Sequence, residues 1–353
     1  MRRKRLNPVV AFLDLWWRYR DIAVEEGLVA RGRRDVAPAG AAPGVDALIA
    51  SVDEGRLREA VYRLSAWPRY PGDSRWHHAA SAELIIAGFR EAGLEVHEQA
   101  FRYGPLRGRN LLATVPGSEP VLRPLLVCAH YDTVQGSPGA DDNASGIAVL
   151  MECAQVFAGA RFRRPVEIAA LDMEELQEPP GEAGLLGSGA LARAAGKRGG
   201  YAGVYNLEMV GYSNGPGGQR FPPAFRHVFR EAYRGVRARN FRGEGLALVG
   251  LGRGKRLSRR LERAAEQWTP GMPVVPIDVP SWLPIPDLLR SDHTSFWLAG
   301  MPAVTLTDSG NFRNPNYHGP GDGPETLDYG MLADAARLVV GAVAAHASEQ
   351  PVD

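Results

Sequence analysis

The chain has 353 residues, 45% of them hydrophobic and 23% charged, so it is long enough to enclose a substantial core and lies near the average of globular proteins. Its 41 lysines and arginines balance 40 aspartates and glutamates, and a formal net charge of +1 excludes nucleic-acid recognition through a global basic field. Two cysteines, Cys128 and Cys153, stand outside any metal-spaced pair, which argues against a disulfide framework and for a cytoplasmic location.

The first residues are basic, as in a signal peptide, but Asp14 breaks the apolar run that follows and no small-residue cleavage site comes promptly after it. That run is also too short to span a membrane. Val9, Phe12, Leu13, Trp16 and Trp17 share one helical face. An accessory helix or loosely held tail is preferred here to membrane-surface contact, because a single amphipathic stripe more often packs on protein. Residues 31–44, "RGRRDVAPAGAAPG", have linker composition. The expected organisation is therefore an N-terminal helix and linker over 1–44 and one folded domain over 45–353.

Apolar residues recur at helical spacing from Val45 to Leu64 and again from Ala79 to Gly93, where the glycine is a stop. "LEVHEQAF" alternates like a strand, "NLLATV" reads as a second, and "RPLLVCAH" as a buried third. A helix is expected over Asn143–Phe157, a buried strand at "PVEIAALD", a helix over Ser188–Ala195 and a strand at "GVYNLEMV". Residues 213–286 turn rich in Gly, Pro and Arg around "LALVGLG", a basic helix near Lys255–Gln267 and "VVPIDV", an elaboration of the same domain. Strands alternating with helices predict a three-layer α/β/α sandwich around a mixed, mainly parallel sheet. In such sheets ligands bind beyond the carboxyl ends of the strands.

Those strand ends carry the chemistry. "CAHYDT" brings His130 and Asp132, "ALDMEEL" brings Asp172, Glu174 and Glu175, and "YNLEMVGY" brings Glu208. A loop adds Asp141 and Asp142, and the later pieces "SDHTSF" and "NYHGPGD" add Asp292, His293 and His318. Carboxylates at the mouth of an apolar sheet are costly unless paired or bound to a cation. Two imidazoles among several acids suit zinc, with cobalt or manganese as substitutes, better than calcium. His77, His78, His97, His227 and His346 lack such company and read as structural or surface residues.

The ordered set "HYD", "GADDNASG", "EE" with "GLLGSGALA", "NLEMVGY", "SDHTSFW" and "YHGPGD" resembles the co-catalytic zinc aminopeptidase family over roughly residues 45–345. That family includes secreted bacterial leucyl aminopeptidases, and glutamate carboxypeptidase and the glutaminyl cyclases are related to it. The resemblance implies two zinc ions. His130, Asp142 and Glu208 would hold one, and Asp142, Glu175 and His318 the other, with Asp142 bridging. It implies Glu174 as general base and Asp132 as the acid that orients the His130 imidazole. The substrate implied is a peptide or amino-acyl group with a free N-terminus, cleaved as by an exopeptidase, most simply an aminopeptidase. Three alternatives share the fold: a one-zinc glutaminyl-peptide cyclotransferase, a carboxypeptidase-like enzyme and a non-catalytic relative. The chain departs from the family pattern at Glu208, where several members have Asp, in the longer "LQEPPGEA" after Glu175, and in the glycines around His318.

Overall fold

The computed structural model describes residues 44–72, 75–103, 106–176, 184–279 and 285–350. The N-terminal helix and linker expected over 1–44 lie outside them except for Gly44. The helical run from Val45 to Leu64 is two helices, α1 (Val45–Ala50) and α2 (Glu54–Leu64). The break falls at Asp53, whose side chain accepts the Arg56 N–H at 2.7 Å and so starts a new helix. Helix α3 (Arg75–Glu91) begins earlier than its apolar periodicity suggests and is followed by Gly93 at φ 79°.

Strands β1 (Val96–Tyr103) and β2 (Leu106–Val115) form an antiparallel pair. After them come β3 (Leu125–His130), α4 (Gly146–Phe157), β4 (Val166–Leu171), α5 (Leu186–Lys197) and β5 (Gly203–Leu207). The 213–286 stretch holds α6 (Phe225–Val228), α7 (Arg230–Ala238), β6 (Leu246–Leu251), α8 (Gly254–Trp268) and β7 (Val274–Val279). The chain closes with α9 (His293–Leu298), β8 (Ala303–Thr307) and α10 (Tyr329–Ser348). Strand β8 and helix α10 lie beyond the elements expected from the sequence, although both are apolar throughout much of their length.

The eight strands make one mixed sheet in the order β1-β2-β4-β3-β5-β8-β6-β7. The pairs β3-β4, β3-β5, β5-β8 and β6-β7 are parallel, and β1-β2, β2-β4 and β6-β8 antiparallel. Strands β6 and β7 thus extend the same sheet. Alternate residues of β3 serve opposite faces: Leu125, Val127 and Ala129 join the layer built by α1–α4, α8 and α10, while Leu126 and Cys128 join that of α5 and α9. Helix α10 has the length and apolarity of a membrane span but is a core helix, with 78% of its most apolar window buried.

Register decides where the polar strand ends meet. His130 lies opposite Leu171 in the parallel β3-β4 pair, so residues 172–175 leave the sheet just beyond it. Cys128 lies opposite Asn206 in β3-β5, which carries Glu208 to the level of His130. Three chain segments far apart in sequence therefore end at one place.

Candidate metal centre

Each metal-type side chain is held by a tight local structure. Between β3 and α4 the chain makes one wide helical turn, Ala140–Ser145, in which Asp142 has non-helical φ/ψ and is joined to Asn143 by a cis peptide bond. The Asn143 side chain ties this turn to the end of β5: its Nδ2 donates to the Leu207 carbonyl at 2.8 Å and its Oδ1 accepts the Met209 N–H at 3.2 Å. Gly139, at φ 61°, could carry no Cβ here, since one would lie 2.3 Å from the Asp142 carbonyl oxygen. Met173 and Met209, beside Glu174 and Glu208, hold positive φ of 57° and 51°. Side-chain-bearing residues in that region store strain that the surrounding structure must support, and such strain concentrates at functional sites.

The structure brings together His130, Asp142 and Glu208 in one group and Asp142, Glu175 and His318 in a second. Within each, the candidate ligand atoms lie within 4.8 Å of one another. His130 Nε2 is 3.4 Å from Asp142 Oδ1 and 3.6 Å from Glu208 Oε1, while His318 Nε2 is 3.2 Å from Asp142 Oδ2 and 2.8 Å from Glu175 Oε1. Asp142 thus turns one oxygen to each histidine. Among the described residues, the buried atoms without a hydrogen-bond partner include His130 Nε2 and Asp142 Oδ1. Orphaned buried polar atoms are rare, and a cation between them would satisfy both. Nitrogen and carboxylate donors in this mixture fit zinc.

The side chains of the centre crowd like charges together. Burial alone would lower the His318 imidazole, but its contacts with Asp142 and Glu175 carry it up to about 10. Glu175 is pushed up to about 7, first by burial and then by Asp142. Glu174 is raised well above the carboxylate range, again first by burial, with His130 opposing and Glu175 and Glu208 adding to the rise. A divalent ion relieves such crowding.

Asp132 does more than was expected of it. Its carboxylate accepts the backbone N–H groups of Glu174 and Glu175, at 3.0 and 2.9 Å, and so fixes both acids. Its Oδ1 is 3.5 Å from His130 Nδ1, which lies closer, 3.2 Å, to the Asp132 carbonyl oxygen. Asp172 stays outside the centre, bound to His78 at 2.7 Å and to the Arg109 N–H at 2.8 Å. Asp292 is buried and pushed up to about 7, whereas His293 turns to the Leu288 carbonyl and Trp297. Of the histidines read as structural or surface groups, His346 is buried against the Tyr205 hydroxyl and His77 stacks on Trp67.

Several supporting residues are not among those expected from the sequence. Asp322 accepts the Asp141 and Asp142 N–H groups at 3.0 and 3.1 Å. Ser291 donates to Glu208 at 2.5 Å and itself receives Asn206 Nδ2 at 2.8 Å. Arg69, 1% exposed, donates to the carbonyls of Leu64, Tyr131, Pro138 and Gly139, which pins the loop leading to Asp142. Asp322 and Ser291 lie inside the motifs already singled out. Arg69 follows no periodicity, and a buried arginine paired mainly with carbonyls has no sequence signature.

Residues 110–239, which hold every member of the two ligand groups but His318, match the model of peptidase family M28. The chain is also 30% identical over 271 residues to uncharacterized protein YfbL of Escherichia coli, covering 74% of this chain and 78% of that one. The chain belongs to peptidase family M28. Within that family it is 32% identical over 216 residues to a probable zinc metalloprotease of Leptosphaeria maculans. That match takes in 58% of this chain and 47% of the relative, so the chain spans about half the length of the fungal protein. Among solved structures, the LapA aminopeptidase of Legionella pneumophila superposes with a TM-score of 0.69 at 18% identity, over 93% of this chain and 83% of that one. At this identity the likeness carries the fold alone. M28 membership makes the chain a metallopeptidase, and zinc is the metal named among its relatives.

Proposed function

We propose that this M28 chain is a two-zinc exopeptidase acting as an aminopeptidase. The observation that carries the reading is the pair of ligand groups sharing Asp142, with the buried Glu174 next in the chain to Glu175. His130, Asp142 and Glu208 would hold one ion, and Asp142, Glu175 and His318 the other. When bound, a zinc pair supplies Lewis acidity that lowers the pKa of water and polarises the scissile carbonyl.

The residues of the chain do the rest. Asp132 holds the Glu174 and Glu175 backbone so that adjacent acids take different tasks, one as ligand and one as base. Glu174, buried and 8% exposed, takes the proton of the attacking water on its carboxylate and passes it to the departing amine. The free α-amine of the substrate enters an acid-rich cleft and needs no counter-ion from solvent. Both cysteines are buried free thiols, and this supports the cytoplasmic placement.

The deciding experiment counts metals in the purified chain and assays leucyl anilide, an N-blocked peptide, a C-terminal substrate and a glutaminyl peptide. Two zinc ions per chain with release from the free-amine anilide supports the proposal. One zinc with cyclisation of the glutaminyl peptide, or turnover of blocked peptides alone, overturns it.

A further inference from the structure

A cation stands at the rim of this acidic centre. Arg290 directly precedes Ser291, the residue that holds Glu208. Its Nη2 donates to the Tyr317 hydroxyl at 2.5 Å, and its guanidinium carbon is 5.7 Å from the centre of that ring. Tyr317 in turn lies flat on the His318 imidazole, with ring centres 3.7 Å apart and planes at 21°. Tyr317 therefore links the guanidinium, at its hydroxyl, to the His318 imidazole on its face, and the charges of Glu174 and Glu175 reach Arg290. The side chain is 45% exposed, and its contact with the equally exposed Asp287 is 3.7 Å long. An exposed pair of that length contributes little. Arginine has five N–H donors in a planar fork, of which Tyr317 takes one.

The charge sets which part of a substrate can come here. An α-ammonium group is repelled by a guanidinium and drawn to the acids around His130 and Glu208. A carboxylate is attracted and matched in geometry, because a planar fork can grip both of its oxygens. The two ends of a short peptide are thus sorted across the cleft.

We propose that Arg290 is the carboxylate anchor on the leaving-group side of the scissile bond, so that preferred substrates carry a carboxylate one residue beyond the bond cleaved. This rests on the aminopeptidase reading and sharpens its substrate class. The carboxylate has two sources, the free C-terminus of a dipeptide or an acidic side chain at that residue. Exposed position and open chain end together favour the dipeptide.

The test compares alanyl-leucine, alanyl-leucine amide and alanyl-glutamate amide on the zinc-loaded full chain, in the wild type, Arg290→Gln and Arg290→Lys. Wild type should favour alanyl-leucine over its amide by about tenfold or more in kcat/KM, the difference lying in KM, as for the loss of one charge-assisted pair. In Arg290→Gln that ratio should fall to within about twofold of unity, and Arg290→Lys should keep part of it, since the charge remains and the fork is lost. A general weakening of the fold lowers all substrates together and leaves the ratio unmoved. Alanyl-glutamate amide matching alanyl-leucine assigns the anchor to side chains, and its matching the neutral amide assigns it to the C-terminus. A wild-type ratio near one, or a ratio preserved in Arg290→Gln, overturns the anchor while amide hydrolysis leaves the aminopeptidase standing. Absence of hydrolysis of every free-amine substrate overturns both.

Discussion

Two sets of acids meet at the end of this sheet, and they differ in what already occupies their oxygens. Asp132, Asp141, Asp308 and Asp322 form the rear set. Asp132 and Asp322 each accept two backbone N–H groups, and Asp308 accepts those of Tyr212 and Gly310. Asp141 accepts the Gly211 N–H and Asn314 Nδ2. The front set, Asp142, Glu175 and Glu208 with Glu174 beside them, faces histidines and one another, and Asp142 Oδ1 is left without a partner. Carboxylates satisfied by backbone donors build a frame, whereas carboxylates left open inside that frame are poised for a cation or a proton. Asp141 and Asp142 are neighbours in the chain yet belong to different sets.

The largest effect should come from removing the bridge. Asp142→Ala should lose both zinc ions and lower kcat/KM by on the order of 10⁴-fold or more, a modest share of a typical enzymatic acceleration. Metal analysis after dialysis checks it, and retention of one full zinc would break the division between front and rear. Glu174→Gln should keep both metals and lower kcat by about 10² to 10⁴-fold, the usual contribution of a general base. Near wild-type turnover in that variant would remove Glu174 from the front set.

The rear set predicts the reverse pattern. Asp141→Asn should retain zinc and most activity yet destabilise the fold by about 1–3 kcal/mol, since an amide cannot accept both bonds and turns an NH₂ toward Asn314 or Gly211. Burial and the facing Asp308 push the Asp141 carboxyl above the usual carboxylate range. Denaturant unfolding with metal analysis separates the two outcomes. Loss of zinc would move Asp141 to the front.

The smallest effect sharpens the same contrast for histidines. His293 is buried against a carbonyl and its pKa is lowered to about 4, first by burial, whereas His130 and His318 face acids. An unfolded histidine titrates near 6.5. The unfolded chain therefore takes up a proton that native His293 refuses between those values, and stability is lost as pH falls through 6.5 toward 4. Between pH 8 and 5 the wild type should lose about 2 kcal/mol more than His293→Gln does over the same range. Equal slopes in urea titrations would place His293 with the open groups.

Much of this was legible in the sequence because strand ends in an α/β sandwich announce themselves. An apolar run that stops in His130, in Glu174–Glu175 or at Glu208 marks both the strand and the polar mouth beyond it, and the ordered motifs point to zinc. Helix limits were less legible. The break at Asp53 depends on a side-chain cap, and the turn from Ala140 to Ser145 depends on Asn143 reaching β5, contacts invisible to periodicity. Strand β8, bounded by Pro302 and Asp308, and helix α10, capped by Asp328, carried signals of their own in the sequence.

By itself the sequence determined the layered fold, the residue types of the centre and their order along the chain, since periodicity and donor chemistry are local properties. Only the tertiary structure decided that Asp132 grips the Glu174–Glu175 backbone, that buried Arg69 and Asp322 hold the Asp142 loop, and that Arg290 stands at the rim through Tyr317. Those outcomes depend on strand register and on which backbone N–H groups lie within reach. Both are fixed only when distant segments pack together.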